Sequence, residues 1–286
     1  MDRSIRAADD SPKIRTRPIP STGEELPIIG LGTYATFDVG GGAADRAPLE
    51  QVLAEFVAAG GKLVDSSPMY GRSEEVVGDL AAKLALRPKL FMATKVWTTG
   101  NEKGIEQMRA SMRKMRADPI DLMQVHNLQD VDTHLDTLAG WKKEGRVRYI
   151  GVTHYTASAH DDLAKLISSR KVDFVQVNYS ATERDADVKL LPMAQERGVA
   201  VIANRPFAAG GLLRRLSGKP LPSFAAEIDC TSWAQLLLKF VVAHPAVTCA
   251  IPATSKPDHL RDNMRAGSGR LPDQAMRGKI VAATAG

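Results

Sequence analysis

Eight short apolar runs, each followed by a longer segment of helical spacing, organise this chain of 286 residues. The runs occupy residues 28–34, 63–67, 91–96, 122–127, 149–154, 174–180, 199–207 and 247–254. After the first run, Leu49, Val52, Leu53, Phe56 and Val57 fall at i, i+3, i+4, i+7 and i+8, which is one face of a helix. The same pattern predicts helices over residues 74–84, 102–115, 131–144, 157–169, 185–197 and 232–243. Most runs start roughly 25 to 35 residues apart, the length of one strand, its helix and the return. Apolar runs without strict alternation suit parallel strands covered on both faces, and eight such units close as a (β/α)8 TIM barrel of about 250 residues. An open doubly wound α/β sheet is the alternative. Against it, Gly30 and Gly32 in the first turn do not form a phosphate-binding glycine triplet that opens a helix.

Ahead of the barrel, residues 13–19 and 25–28 flank Pro20, Ser21, Thr22 and Gly23, a turn-rich cluster that predicts a β-hairpin. Residues 1–12 read as a flexible polar leader and residues 13–286 as one barrel domain. The long gap before the eighth run holds Gly218, Pro220 and Pro222 and is expected to be a loop. Together with residues 37–44 it would shape the substrate pocket.

Composition narrows the partners. Apolar residues make up 44% and charged residues 25%, values ordinary for a soluble enzyme. The net charge is +5, but 38 basic residues are scattered among 33 acidic ones, so nucleic acid is not indicated. Cys230 and Cys249 give neither a disulfide framework nor a multi-cysteine metal site. His126, His154 and His160 lack the paired spacing and accompanying carboxylates of a metal centre, and no metal is expected. There is no apolar run of about eighteen residues and no signal-peptide pattern at the N-terminus, so a cytoplasmic protein without a membrane partner is expected. No long apolar heptad is evident, and a monomer is expected.

In a barrel, catalytic groups sit at the C-terminal ends of strands and in the loops that follow. Asp65, Lys95 and His126 hold such places in the second, third and fourth runs, where the apolar pattern would otherwise want Val or Leu, and Tyr70 follows Asp65 in the loop. Each alone has a structural explanation as a cap, a rim lysine, a core histidine or loop packing. Together near one rim they point to chemistry. A carbonyl that accepts hydride develops negative charge on oxygen, so it needs a proton donor and hydrogen-bonding support there. Tyrosine can donate, and a neighbouring ammonium is expected to lower its ordinary pKa of about 10. Asp65 would keep that buried ammonium charged, and His126 would donate to or position the oxygen.

Asp65 at the end of KLVD, Tyr70 in PMYGRSEEVVG, the lysine of FMATKVW and the histidine of DLMQVHN together resemble the catalytic tetrad of the aldo-keto reductases. The resemblance runs from about Pro27 to Asn263. It implies an NADPH-dependent reductase of small aldehydes or ketones, with NADH as the other cofactor to consider, or else a nicotinamide-binding sensor or scaffold subunit on the same fold. YIGVTHY is similar to the segment that holds the nicotinamide carboxamide. That similarity implies Thr153 and His154, the latter in place of an asparagine, with Gln176 as third partner. IANRPFAAGGLL resembles the turn that usually carries an aromatic residue against the nicotinamide, and Asn204 and Arg205 stand there, with Pro206, Gly210 and Leu212 following. IPATSKPDHLRDNM resembles the adenosine-phosphate segment and implies Thr254, Ser255, Lys256, His259 and Asn263. Members favouring NADPH place a basic residue and an arginine where this chain has Ala253 and His259, so Lys256 would supply the charge. Gly32 and Thr33, after the first run, complete the implied cofactor set.

Overall fold

Alternation within each strand sorts the side chains to two sides of one curved sheet. The computed structural model describes residues 13–285. The expected leader, residues 1–12, lies outside the described residues. A hairpin of β1 (Thr16–Pro18) and β2 (Glu25–Pro27) comes first, antiparallel, with Arg17 opposite Leu26. Eight parallel strands follow: β3 (Leu31–Gly32), β4 (Leu63–Asp65), β5 (Phe91–Val96), β6 (Ile120–His126), β7 (Val147–Thr153), β8 (Phe174–Asn178), β9 (Ala200–Asn204) and β10 (Val247–Ala250). Each lies beside its neighbour in sequence, and bridges between Ile29 and Ala250 and between Gly32 and Ala253 bring the first strand back to the last. Helices return the chain between strands: α1 (Ala43–Ala58), α2 (Ser73–Lys83), α3 (Asn101–Met115), α4 (Val131–Lys143), α5 (His160–Ser169), α6 (Leu190–Glu196), α7 (Gly211–Leu216) and α8 (Trp233–Val242). Two more, α9 (Pro257–Arg265) and α10 (Gln274–Thr284), end the chain.

The expected barrel and hairpin are both present. Three elements differ from the sequence reading. The first run pairs as a strand only at Leu31–Gly32, and a side chain on Gly30 or Gly32 would strike a neighbour. A Cβ on Gly30 would lie 2.9 Å from the Leu63 carbonyl oxygen, and one on Gly32 would lie 2.8 Å from that of Ile251. These glycines let the barrel close. The helix expected over residues 185–197 is a 3-10 turn followed by the short α6, and the long loop before the last strand contains α7 and a 3-10 segment, Ser223–Ile228. Lys239, buried on α8, ties down that segment by donating to the Ile228 carbonyl at 2.7 Å and to that of Arg270 at 2.9 Å.

Outward residues such as Val64, Met92, Val125, Val152, Val177 and Val201 join the helices in one large apolar cluster. Inward residues form a second one: Leu63, Phe91, Ala93, Leu122, Tyr149, Phe174, Ala200, Ile202 and Cys249, joined by Ile19 and Leu26 from the hairpin. The hairpin therefore plugs the N-terminal end of the barrel. Burying Ile19 and Leu26 there stabilises the fold by about 2 kcal/mol each. Arg17 fastens the plug by donating to the carbonyls of Val242 at the end of α8, of His244, and of Val247 at the start of β10.

Candidate active site

Two residues further along four of the strands, the inward positions turn polar. Asp65 follows Leu63, Lys95 follows Ala93, Gln124 follows Leu122 and Gln176 follows Phe174, and these four side chains bond to one another. Lys95 has no exposed surface, and its Nζ donates to Asp65 Oδ2 at 2.6 Å and to the Ser66 carbonyl at 2.6 Å. Asp65 Oδ1 accepts from Gln176 Nε2 at 2.9 Å and from Gln124 Nε2 at 3.2 Å. Three donors thus hold the carboxylate, as a buried charge requires. Burial pulls the Lys95 ammonium down, but Asp65, Tyr70 and Glu74 outweigh it and hold the group above its ordinary value. Lys95 is therefore a charged ammonium under the mouth of the barrel.

Tyr70 reaches this layer from a turn after β4. The Tyr70 amide donates to the Ser67 carbonyl at 3.0 Å, with Pro68 second in the turn, and Ser67 Oγ accepts from the Met69 amide at 3.2 Å. The Tyr70 ring has Lys95 Nζ 5.2 Å from its centroid, His126 at 6.1 Å nearly perpendicular, and Tyr34 edge-on at 5.0 Å. Its phenol corrects one expectation. Burial pushes the hydroxyl up, the pull of Lys95 in the other direction is smaller, Asp65 pushes it up further, and the net result lies above the ordinary tyrosine value. Tyr70 is therefore protonated throughout the neutral range. His126, at the end of β6, is pushed down to about 3, first by burial and then by Lys95 and His154, so its imidazole is neutral. Its Nδ1 lies 3.1 Å from Ser67 Oγ.

The profile of the Aldo/keto reductase family matches residues 28–279 of this chain. The chain belongs to that family. Family membership makes it an NAD(P)H-dependent carbonyl oxidoreductase. It is 31% identical over 246 residues to the methylglyoxal reductase YeaE of Escherichia coli, an alignment covering 83% of this chain and 84% of that protein. Among solved structures it resembles an aldo-keto reductase from Klebsiella pneumoniae in complex with NADPH, with 24% identity, TM-score 0.80, and 96% of this chain and 95% of that one covered. The holo form of an aldo-keto reductase from Bacillus halodurans gives 22% identity, TM-score 0.77 and coverage of 96% and 97%.

In this reductase the expected tetrad converges, and the other predicted residues fall into three groups. The first adjoins the tetrad. Thr153 Oγ1 donates to Gln176 Oε1 at 3.2 Å, and Asn204 Nδ2 lies 3.4 Å from both Gln176 Oε1 and the His154 carbonyl. Asn204 Oδ1 is buried without a partner. His154 Nδ1 accepts from the amides of Tyr155 and Thr156, and its ring stacks on that of Tyr155. Arg205 lies over the Tyr155 ring and pairs with Glu183 at 3.5 Å. His160 is turned elsewhere, its Nε2 3.0 Å from Asn178 Oδ1.

The second group is the turn before α7, where Arg205, Ala208, Ala209 and Gly210 all have left-handed backbone, a conformation only glycine adopts without strain. The side chains of Pro206 and Leu212 are buried there, and the Ala208 and Gly211 amides donate within the turn, to the carbonyls of Arg205 and Ala208. The third group surrounds the start of α9. Ser255, Lys256 and His259 are partly or fully exposed, whereas Thr254 and Asn263 are buried, and Thr254 Oγ1 accepts from the Lys256 amide at 3.1 Å. Thr33 Oγ1 lies 3.0 Å from both the Asp65 carbonyl and Ser66 Oγ, joining β3 to the tetrad strand.

Sequence reasoning missed Gln124, Ser67 and Glu74. Gln124 had a signal, because it shares the inward parity of Leu122 and His126 on β6. Glu74 lies behind β5, where its Oε1 accepts from Thr94 Oγ1 at 2.5 Å and its Oε2 is buried without a partner. Burial pushes this carboxyl above its ordinary value. Nothing in the spacing around Ser67 separates it from any turn serine.

Proposed function

We propose that this reductase converts a small aldehyde or ketone to an alcohol, with NADPH as the hydride source and Tyr70 as the proton donor. The observation that carries the reading is the buried, charged Lys95 held 2.6 Å from Asp65 beneath the Tyr70 ring, with neutral His126 across from it. The polar residues around the mouth fit a nicotinamide cofactor. The orphaned Asn204 Oδ1 offers an acceptor for a carboxamide amine beside Thr153, His154 and Gln176. Arg205 and Pro206 would flank the ring, backbone amides near Gly210 and Leu212 would take the pyrophosphate, and Ser255, Lys256, His259 and Asn263 would take the adenosine phosphate. Gly32 and Thr33 would line the other side. When bound, NADPH supplies a hydride to the carbonyl carbon.

The chain's own residues handle the oxygen. His126 donates a hydrogen bond to it, and Tyr70 transfers its phenolic proton as negative charge builds there. The tyrosinate left behind faces the Lys95 ammonium, and water returns the proton. The free phenol is protonated at neutral pH, which is the form that carbonyl reduction needs. Tyr70→Phe removes one oxygen and keeps the ring. NADPH oxidation with methylglyoxal and with 4-nitrobenzaldehyde should fall at least about a hundredfold in kcat, while NADPH affinity stays near the parent value. Sustained turnover by Tyr70→Phe would move the acid to another residue. We also propose that the enzyme works as a monomer, as its lack of a long apolar heptad suggests.

A further inference from the structure

Ser67 is fully buried, and its hydroxyl has two hydrogen-bonding neighbours: the Met69 amide at 3.2 Å and His126 Nδ1 at 3.1 Å. A hydroxyl carries one hydrogen and two lone pairs. The amide can only donate, so Ser67 Oγ accepts from it. If His126 Nδ1 also carried a hydrogen, Oγ would accept twice and its own O–H would be buried without an acceptor, which is unfavourable. The arrangement that satisfies every atom has Ser67 O–H donating to a bare Nδ1. The ring hydrogen then resides on Nε2, which has no partner among the described residues and is not one of the sealed, unpartnered atoms. It opens on the mouth, beside Tyr70.

We propose that Ser67 is a positioning residue that fixes His126 as the Nε2–H tautomer, so that the imidazole presents a hydrogen rather than a lone pair to the carbonyl oxygen. The inference rests on the reading of His126 as a donor to that oxygen. Sequence and geometry explain why one serine can do this. It opens the turn whose fourth residue is Tyr70, and its carbonyl accepts the Tyr70 amide at 3.0 Å. One four-residue turn therefore carries the proton donor and also orients the second donor, which is 59 residues away in sequence. With alanine in place of Ser67, Nδ1 would lose its hydrogen bond, either ring nitrogen could hold the proton, and the ring could turn.

The test begins with the parent enzyme labelled with 15N-histidine, because that spectrum needs no variant to fold. Long-range 1H–15N correlations should show His126 with a protonated Nε2 and a hydrogen-bonded, unprotonated Nδ1 from about pH 5 to 8. Protonation at Nδ1 in the parent would overturn the assignment. Ser67→Ala should give mixed tautomers and a kcat reduced about tenfold to a hundredfold, with NADPH affinity unchanged, and Ser67→Thr should restore both signals. Parental kcat and a pure Nε2–H signature in Ser67→Ala would also overturn it. If instead the spectra behave as stated while His126→Phe leaves carbonyl reduction intact, the tautomer assignment stands and the reading of His126 as donor fails.

Discussion

A histidine that stays neutral because it is buried makes the fold sensitive to acid. The His126 imidazole has an ordinary value of 6.5 and is pushed down to about 3 in the folded protein. The unfolded chain therefore binds a proton at this site that the folded chain refuses. Between the two values stability rises with pH, and it is lost as pH falls through that window, at about 1.4 kcal/mol per pH unit. Comparing urea midpoints of the parent and His126→Gln isolates the contribution. From pH 6.5 down to about 4.5 the parent should lose about 2 kcal/mol more than the variant. Parallel pH profiles for the two proteins would show that the ring is solvated and titrates near its ordinary value. Tyr70 belongs to the same scale of argument. Lys95 does pull its phenol down, yet burial wins, and that balance depends on how much water the mouth admits.

Among the elements, α8 shows how local sequence and tertiary contact share one task. Ser232 caps it by accepting from the Gln235 amide at 3.1 Å, and Gln235 Oε1 reaches back to the Thr231 amide at 2.9 Å. The same two side chains donate to Asp262 on α9, from Ser232 Oγ at 2.6 Å and from Gln235 Nε2 at 2.6 Å. The cap therefore ties α8 to the second half of α9, the helix that the exposed Lys256 precedes. Ser232→Ala should cost about 1–2 kcal/mol in thermal unfolding, near the upper end for a lost cap because Asp262 also loses a donor. It should weaken NADPH binding more than it lowers kcat at saturating cofactor. A stability loss within about 0.5 kcal/mol of zero would mean that α9 is held by its apolar face alone.

At the level of the whole molecule, the barrel has a dry end and a wet end. Ile19 and Leu26 plug the N-terminal end among Phe91, Tyr149 and Phe174, while the C-terminal end carries the tetrad and four exposed large side chains: Tyr34, Met69, Trp97 and Tyr155. Among the described residues no helix is long and apolar enough to cross a membrane. With a net charge of +5, the surface as a whole favours an anionic cofactor, and Lys256 would focus that preference at the ribose phosphate. Lys256→Glu should narrow the preference for NADPH over NADH by about tenfold, and raising salt should shrink the parent's preference in the same direction. Equal affinity of the parent for both cofactors would remove Lys256 from that role.

Much of this was readable from the chain alone. The recurrence of apolar runs and helical faces determined a parallel barrel, because that spacing leaves few other ways to bury both faces of every strand. Asp65, Lys95 and His126 could be picked out as polar residues where strand ends want apolar ones, and the family resemblance supplied their company. Gln124 and Gln176 as joint partners of Asp65, the closing role of Gly30 and Gly32, and the bond between Ser67 and His126 were decided only by the fold. Each depends on which residues face each other across neighbouring strands, a distance that sequence spacing does not encode. The direction of the Tyr70 shift is of the same kind, since it is a difference between desolvation and the field of one ammonium, and both are set by packing.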